Sequence, residues 1–239
     1  FVVLTRTVDA FLVQHSVIAP EVKGLLLVLG ALTVLLGSLP ALYQISVKRL
    51  LGYSSISHAG YLLLALACTG SDRSGLSSGG IVAFYLGTYL PMTILGFLVL
   101  AVLRLNGGGE DLRDFRGLAK RSPVLGLAMT LALASLAGLP LTAGFMGKLL
   151  VFVSLVDAAN WGALLCAAIG AAAGFYYYFR PLLAIHSSDS SASEPLQVSS
   201  AAKGAAIVLS LAIVVLGVYP KPLQQMLSKP AEVAAKAAH

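Results

Sequence analysis

Charge is what this chain has least of. Asp, Glu, Lys and Arg together make up 11% of its 239 residues, where an ordinary soluble domain carries about a quarter. Hydrophobic residues reach 58% and the mean hydropathy is +0.88, which excludes a single water-soluble core and points to a helical membrane protein. Acidic residues are scarcer still, 10 against 16 basic ones, for a formal charge of +6. On a soluble domain that excess would hint at nucleic acid. Here the basic residues sit between apolar runs, where they set topology against the lipid bilayer, so no nucleic-acid partner is expected. The two cysteines, Cys68 and Cys166, lie within apolar segments and show no spacing pattern, which leaves neither a disulfide framework nor a cysteine metal site to argue from. The chain opens on Phe1, and "FVVLTR" reads as the tail of a helix already under way. The expectation is therefore the later part of a longer chain, and the question of a signal peptide does not arise.

What is present is a series of apolar runs at 24–43, 50–69, 80–103, 161–183 and 203–219, each near the ~20 residues that cross about 30 Å of hydrocarbon as a helix. Residues 1–14 read as the end of an earlier span, with Pro20 in the connection that follows it. Residues 1–219 are thus expected to form one membrane domain of about six full spans plus that earlier end, with 220–239 as an exposed tail beyond Pro220.

The block 123–155 does not fit the series. Its 33 residues would make about 50 Å of helix, too long for one upright span, while two spans and a turn need roughly 40 residues or more. The stretch "GLPLTAG" resolves the mismatch. Pro140 removes a backbone donor and clashes with the preceding turn, and Gly138 and Gly144 loosen both flanks. The sequence predicts one broken helix, with a first half to about Ala137 and a second from about Thr142, that threonine being a candidate N-cap. Irregular backbone at membrane depth persists only where protein or a water-filled cavity covers it.

With 123–155 counted as one crossing, the segments 44–49, 104–122 and 184–203 share a side. That side holds Lys48, Arg49, Arg104, Arg113, Arg116, Lys120, Arg121, Arg180 and Lys203, against Lys23, Arg73, Lys221, Lys229 and Lys236 on the other. The richer side is expected to face the cytoplasm, leaving the C-terminus outside. The polar loop "HSSDSSASEP" (186–195) reads as a flexible connection.

Lys148 lies in the second half of the broken helix, nine residues before Asp157, or about 13 Å along the axis. Snorkelling to the headgroups is the plain alternative, but the stem does not easily cover that distance. Ionisable groups at such depth belong to ion pathways and proton relays, and desolvation, the half-helix end and any neighbouring carboxylate or water would set a balance between its two protonation states. The "GFMGKLL" around it superficially matches a phosphate-binding loop, but Thr142 and Leu149 occupy the places where that loop needs Gly and Ser or Thr. Nucleotide binding is rejected.

In "VKRLLGYSSISHAGYLLLAL", Ser54, Ser55, His58 and Tyr61 fall three and four apart on one helical face. Two readings fit: a proton track around an imidazole that both gives and takes a proton, or polar bonds that merely tie helices together. Lys48 and Arg49 at the start of that helix are equally explained by surface anchoring. The third span offers Tyr85, Thr88 and Tyr89, with Pro91 as a kink, while Tyr176, Tyr177 and Tyr178 before Arg180 read as anchoring and packing at a span end.

"VKRLLGYSSISHAGYLL", "SLAGLPLTAGFMGKLLVF" and "FYYYFRPL" resemble the antiporter-like membrane subunits of respiratory complex I, and within them the subunit N (chain 2) branch, over essentially the whole chain. The co-occurrence of His58 and Lys148, and a chain that stops soon after its last span, carry the choice of branch. The resemblance implies an all-α polytopic transmembrane bundle with one discontinuous helix, part of an inverted-repeat antiporter-like fold. It also implies proton translocation coupled to remote electron transfer, as a subunit of a quinone-reducing NADH dehydrogenase complex, with neighbouring antiporter-like and small membrane subunits as partners. No cofactor or metal and no redox chemistry are implied in this chain. Lys148 would be the lysine of the second broken helix, His58 the histidine of the polar axis, and Lys48 a recurrent lysine of less certain role. A cytoplasmic (inner) membrane location follows. The rivals are a subunit of a cation/proton antiporter or membrane-bound hydrogenase complex, and a purely structural scaffold.

Overall fold

Residues 3–5, 7–8, 19–68, 76–187 and 195–227 are described by a computed structural model. Most of the apolar runs become helices: α1 (Ala19–Ala41), α2 (Val47–Ala67), α3 (Ser78–Leu105), the short α4 (Leu118–Arg121), α5 (Pro123–Ala137), α6 (Ala143–Asp157), α7 (Trp161–Ile185) and α8 (Ser200–Val218). Among the described residues there is no strand, and one isolated bridge pairs Ser46 with Asp111. Five of these helices are long and apolar enough to cross a membrane; α5 and α6, at 15 residues each, are not, because they are two halves of one crossing. Most of segment 1–14, Arg73, most of the loop 186–195 and the end of the tail with Lys229 and Lys236 lie outside the described residues.

Pro20 does not sit in a connection. It occupies the first turn of α1, where its missing N–H would have had no helical partner anyway. At the far end, the segment after Pro220 is not all tail: residues 221–227 form a further short helix, and Leu223 packs beside Gly87 of α3. Helix α3 runs through Pro91 without interruption.

The broken helix crosses once. Three inter-element hydrogen bonds gather the loops of one end: Val47 N–H to Glu110 O, Gly117 N–H to Ala184 O, and Leu196 N–H to Arg121 O. Asn106 adds two more with the backbone of Gln197. Since α5 departs from this end and α7 returns to it, α5 and α6 together make a single traverse. Glu110 fastens the same end by pairing with both Lys48 and Arg104. Arg180, one turn inside α7 and not at its end, donates to the carbonyls of Leu42 and Gln44. Of the three neighbouring tyrosines, Tyr176 faces outward while Tyr177 and Tyr178 are buried; the latter two pack the core and only the first can anchor.

Helices α1 and α2 approach at backbone distance. A Cβ on Gly37 would lie 2.3 Å from the Ser57 nitrogen, and one on Gly60 would lie 2.6 Å from the Val34 nitrogen, which is small-residue packing of the kind membrane helices use in place of a hydrophobic driving force. Ser38 and Ser57 share a buried hydrogen bond of 2.8 Å across the same seam. Substituting Gly37→Val should therefore force these helices apart and cost about 1–3 kcal/mol, read as a lowered thermal midpoint of the full-length protein in detergent. Gly24→Ala, where a Cβ meets nothing within 4 Å, should leave that midpoint unchanged or slightly raised.

Candidate functional site: a lysine at a helix break

The C-terminus of α5 leaves four carbonyls without helical donors, as every helix does. Gly138, at φ 86°, takes the left-handed conformation that glycine adopts without penalty and turns the chain back on itself. Leu139 N–H then reaches Ala134 O at 3.0 Å and Gly138 N–H reaches Ser135 O at 3.0 Å, the paired bonds of a Schellman ending. That accounts for two carbonyls. The other two, Leu136 and Ala137, accept from Lys148 Nζ at 2.8 and 3.0 Å. The lysine of the second half-helix thus completes the end of the first, with its charge at the pole of α5 that favours a cation.

The start of α6 is held differently from the expectation. Thr142 occupies the N-cap position, but its side chain makes no capping bond; its hydroxyl donates back to Leu139 O at 2.6 Å. The amide of Gly144 donates instead to Ser135 Oγ at 3.0 Å, and that hydroxyl donates on to the sulfur of Met92 in α3 at 3.2 Å. Gly144 is here for closeness and not for looseness: a Cβ at this position would lie 1.9 Å from Ser135 O. Between the halves, Leu141 adopts φ 69°, a left-handed conformation that is uncommon outside glycine and strained.

Lys148 is 7% exposed and His58 2%. Both lie well inside the bundle, and both stand against the ring of Tyr61, the ammonium at 5.7 Å and the imidazole at 6.3 Å. Aromatic side chains fill the space around them. The Lys148 nitrogen stands 5.7 Å from the Tyr61 ring centre, within cation–π range, and Tyr61 stacks with Tyr85 at 6.4 Å. The His58 ring is surrounded by Tyr89, Tyr85 and Tyr61 at 4.8, 5.8 and 6.3 Å. Its Nδ1 shares a 2.8 Å hydrogen bond with the Tyr85 hydroxyl, a bond that can run in either direction according to the imidazole tautomer. Gly147 lets α6 lie against this wall, since a Cβ there would be 3.1 Å from the Tyr85 ring and 3.2 Å from Thr88 Oγ1.

The polar face of α2 does tie helices together. Tyr89 donates to Ser55 Oγ at 2.8 Å, Tyr61 donates to Ala167 O in α7 at 2.7 Å, and His58 bonds Tyr85 of α3. These three bonds share no residue, and each joins α2 to a neighbouring helix. Lys48 is not with them. Its side chain is 51% exposed and pairs with Glu110 at 3.1 Å at the loop end of the bundle, so the structure brings His58 and Lys148 together and leaves Lys48 apart. Tyr85 was legible only as a polar residue of the third span. The roles of Ser135 and of the two carbonyls carried no sequence signal, because one is a common small residue in an apolar run and the others are backbone.

A family profile described as NADH:quinone oxidoreductase/Mrp antiporter, TM, matches residues 2–175. The NADH-quinone oxidoreductase subunit N of Psychrobacter arcticus is 41% identical over 180 residues, covering 73% of this chain and 36% of the relative. That of Methylococcus capsulatus is 38% identical over 224 residues, covering 93% of this chain and 44% of the relative. This chain thus spans less than half the length of either. Among solved structures, a chain of respiratory complex I from Thermus thermophilus with bound aureothin superposes with a TM-score of 0.73 at 36% identity, covering 84% of this chain and 45% of that one. A chain of the Mrp complex from a Dietzia species superposes at 0.75 with 21% identity, over 86% of this chain and 46% of that one, a likeness of fold alone. The chain belongs to the NADH:quinone oxidoreductase/Mrp antiporter family of transmembrane subunits.

Proposed function

We propose that this chain is part of a proton-translocating, subunit N-type membrane subunit of an NADH:quinone oxidoreductase, in which Lys148 and His58 carry protons along the membrane interior while electron transfer takes place in other subunits. One observation carries the reading: Lys148 is buried at a helix break, on two backbone carbonyls, and shares the Tyr61 ring with a histidine surrounded by tyrosines. Removing an ammonium from water costs several kcal/mol even after relaxation. Two hydrogen bonds to a charged donor return about 1.5–3 kcal/mol each, the two carbonyls being themselves the negative pole of α5. The opposing contributions are of similar size, which is the condition under which a lysine exchanges its proton in the working range of a membrane.

Four features support the assignment to this complex: the family profile, the identity of 38–41% to subunit N of two bacteria, the superposition on a complex I chain, and the joint presence of His58 and Lys148. The partners are then other membrane subunits of that complex, and the location is the bacterial cytoplasmic membrane. The loop end carrying Lys48, Arg104, Glu110 and Arg180 faces the cytoplasm, in keeping with its excess of basic residues. Lys48 acts there as an anchor that joins the start of α2 to the loop after α3.

In the reconstituted complex, Lys148→Ala should slow proton translocation coupled to quinone reduction by about threefold or more, ~0.7 kcal/mol at the limiting step. An unchanged ratio of protons to electrons would remove the lysine from the mechanism. Sodium-dependent transport without a redox substrate would favour the antiporter reading. Tyr85→Phe removes one hydroxyl and leaves His58 Nδ1 buried without its partner, a loss of about 1–3 kcal/mol, seen as a lower thermal midpoint together with slower translocation; Tyr176→Phe, on the outer surface, should change neither. Lys48→Gln breaks an exposed ion pair of the kind worth about 0–1 kcal/mol, and translocation should stay within about twofold of the unsubstituted complex.

A further inference from the structure

We infer that Ser135 is a positioning residue for Lys148: its hydroxyl serves as the N-cap of α6 and fixes the register in which the lysine meets the carbonyls of α5. The inference rests on the role proposed for Lys148. It starts from a gap in the hydrogen bonding, because Thr142, at the N-cap position, makes no side-chain cap and turns its hydroxyl back to Leu139 O. The first amides of a helix need acceptors, and a buried one without any is costly. Ser135 supplies the acceptor from outside the helix, nine residues earlier in the chain, to the Gly144 amide at 3.0 Å.

Ser135 is fully buried, and three elements meet on it. Its own carbonyl takes the turn from Gly138, its Oγ takes the Gly144 amide, and its hydroxyl proton goes to Met92 of α3. The next two carbonyls in the chain, those of Leu136 and Ala137, are the ones that receive Lys148. Gly144 and Lys148 are four residues apart, one turn of α6 and on the same face. The same face of α6 is therefore fastened to the end of α5 at two successive points, Gly144 on a side chain and Lys148 on backbone. Loosening the first allows α6 to turn or slide, and the second contact shifts with it. Ser135 touches no transported proton. It acts through the geometry of the lysine.

The test compares Ser135→Ala, Met92→Leu and Lys148→Ala in the complete complex reconstituted in proteoliposomes, with proton translocation per electron followed as a function of pH. Ser135→Ala is expected to move the half-maximal pH of translocation by about half a unit or more, roughly a threefold change in proton affinity, with NADH oxidation by the detergent-solubilised complex retained. Met92→Leu removes the acceptor of the serine hydroxyl but keeps the cap, and its profile should match that of the unsubstituted complex. If Ser135→Ala does not assemble, Ser135→Cys, which keeps a weak acceptor in the same place, should show the shift in smaller degree. An unmoved profile in the assembled serine variant, or an equal shift in Met92→Leu, overturns the inference. If Lys148→Ala itself leaves translocation per electron unchanged, it is the role of the lysine that fails.

Discussion

The contact between the Lys148 ammonium and the carbonyls of Leu136 and Ala137 is the constraint on which the rest of the site depends. A helix that stops at membrane depth exposes acceptors that lipid cannot satisfy, and each one left bare costs several kcal/mol. A lysine at the same depth carries a charge that lipid cannot solvate either. Each is the remedy for the other. The Schellman turn at Gly138 takes care of the two earlier carbonyls and in doing so leaves the last two open toward α6, so the break and the charge form a single unit.

From that unit the packing follows outward. Gly147 brings α6 against α3 and so places Tyr85 and Thr88 beside the lysine helix. Tyr61 of α2 lies within cation–π range of the ammonium and is held from its far end by Ala167 of α7. His58, one turn earlier on α2, is then surrounded by tyrosines from two helices. The close seam of α1 and α2, made by Gly37 and Gly60, gives α2 a rigid back. The loop end, with Glu110 between Lys48 and Arg104, ties the start of α2 to the end of α3. Helices held at one end and along a seam keep these side chains at fixed distances, as the proposed relay requires.

Pro140 and Gly138 announced the break, and the depth of Lys148 announced a buried charge; both readings came from counting residues against the thickness of a bilayer. The polar face of α2 was legible because three- and four-residue spacing is geometry, whatever the fold. Other features were not legible. Thr142 is of the type and at the position of an N-cap and does not serve as one, since its hydroxyl turns back to Leu139 O and the Gly144 amide goes to Ser135, nine residues earlier in the chain. Pro20 was assigned to a connection and residues 221–227 to an exposed tail, yet a proline is at home in a first turn, and residues 221–227 form a short helix with Leu223 beside Gly87 of α3.

The sequence by itself determined that the chain lies in a membrane, that it crosses as a set of helices, that one crossing is interrupted, and that a lysine sits near the interruption. These follow from hydropathy, length and the missing donor of proline, which act locally. Only the tertiary structure decided which acceptors the lysine would have, that it would share the Tyr61 ring with His58, and that Lys48 would stand apart at the surface in an ion pair. Those outcomes depend on distances between residues far apart in the chain, and such distances are set by how closely glycines let backbones approach.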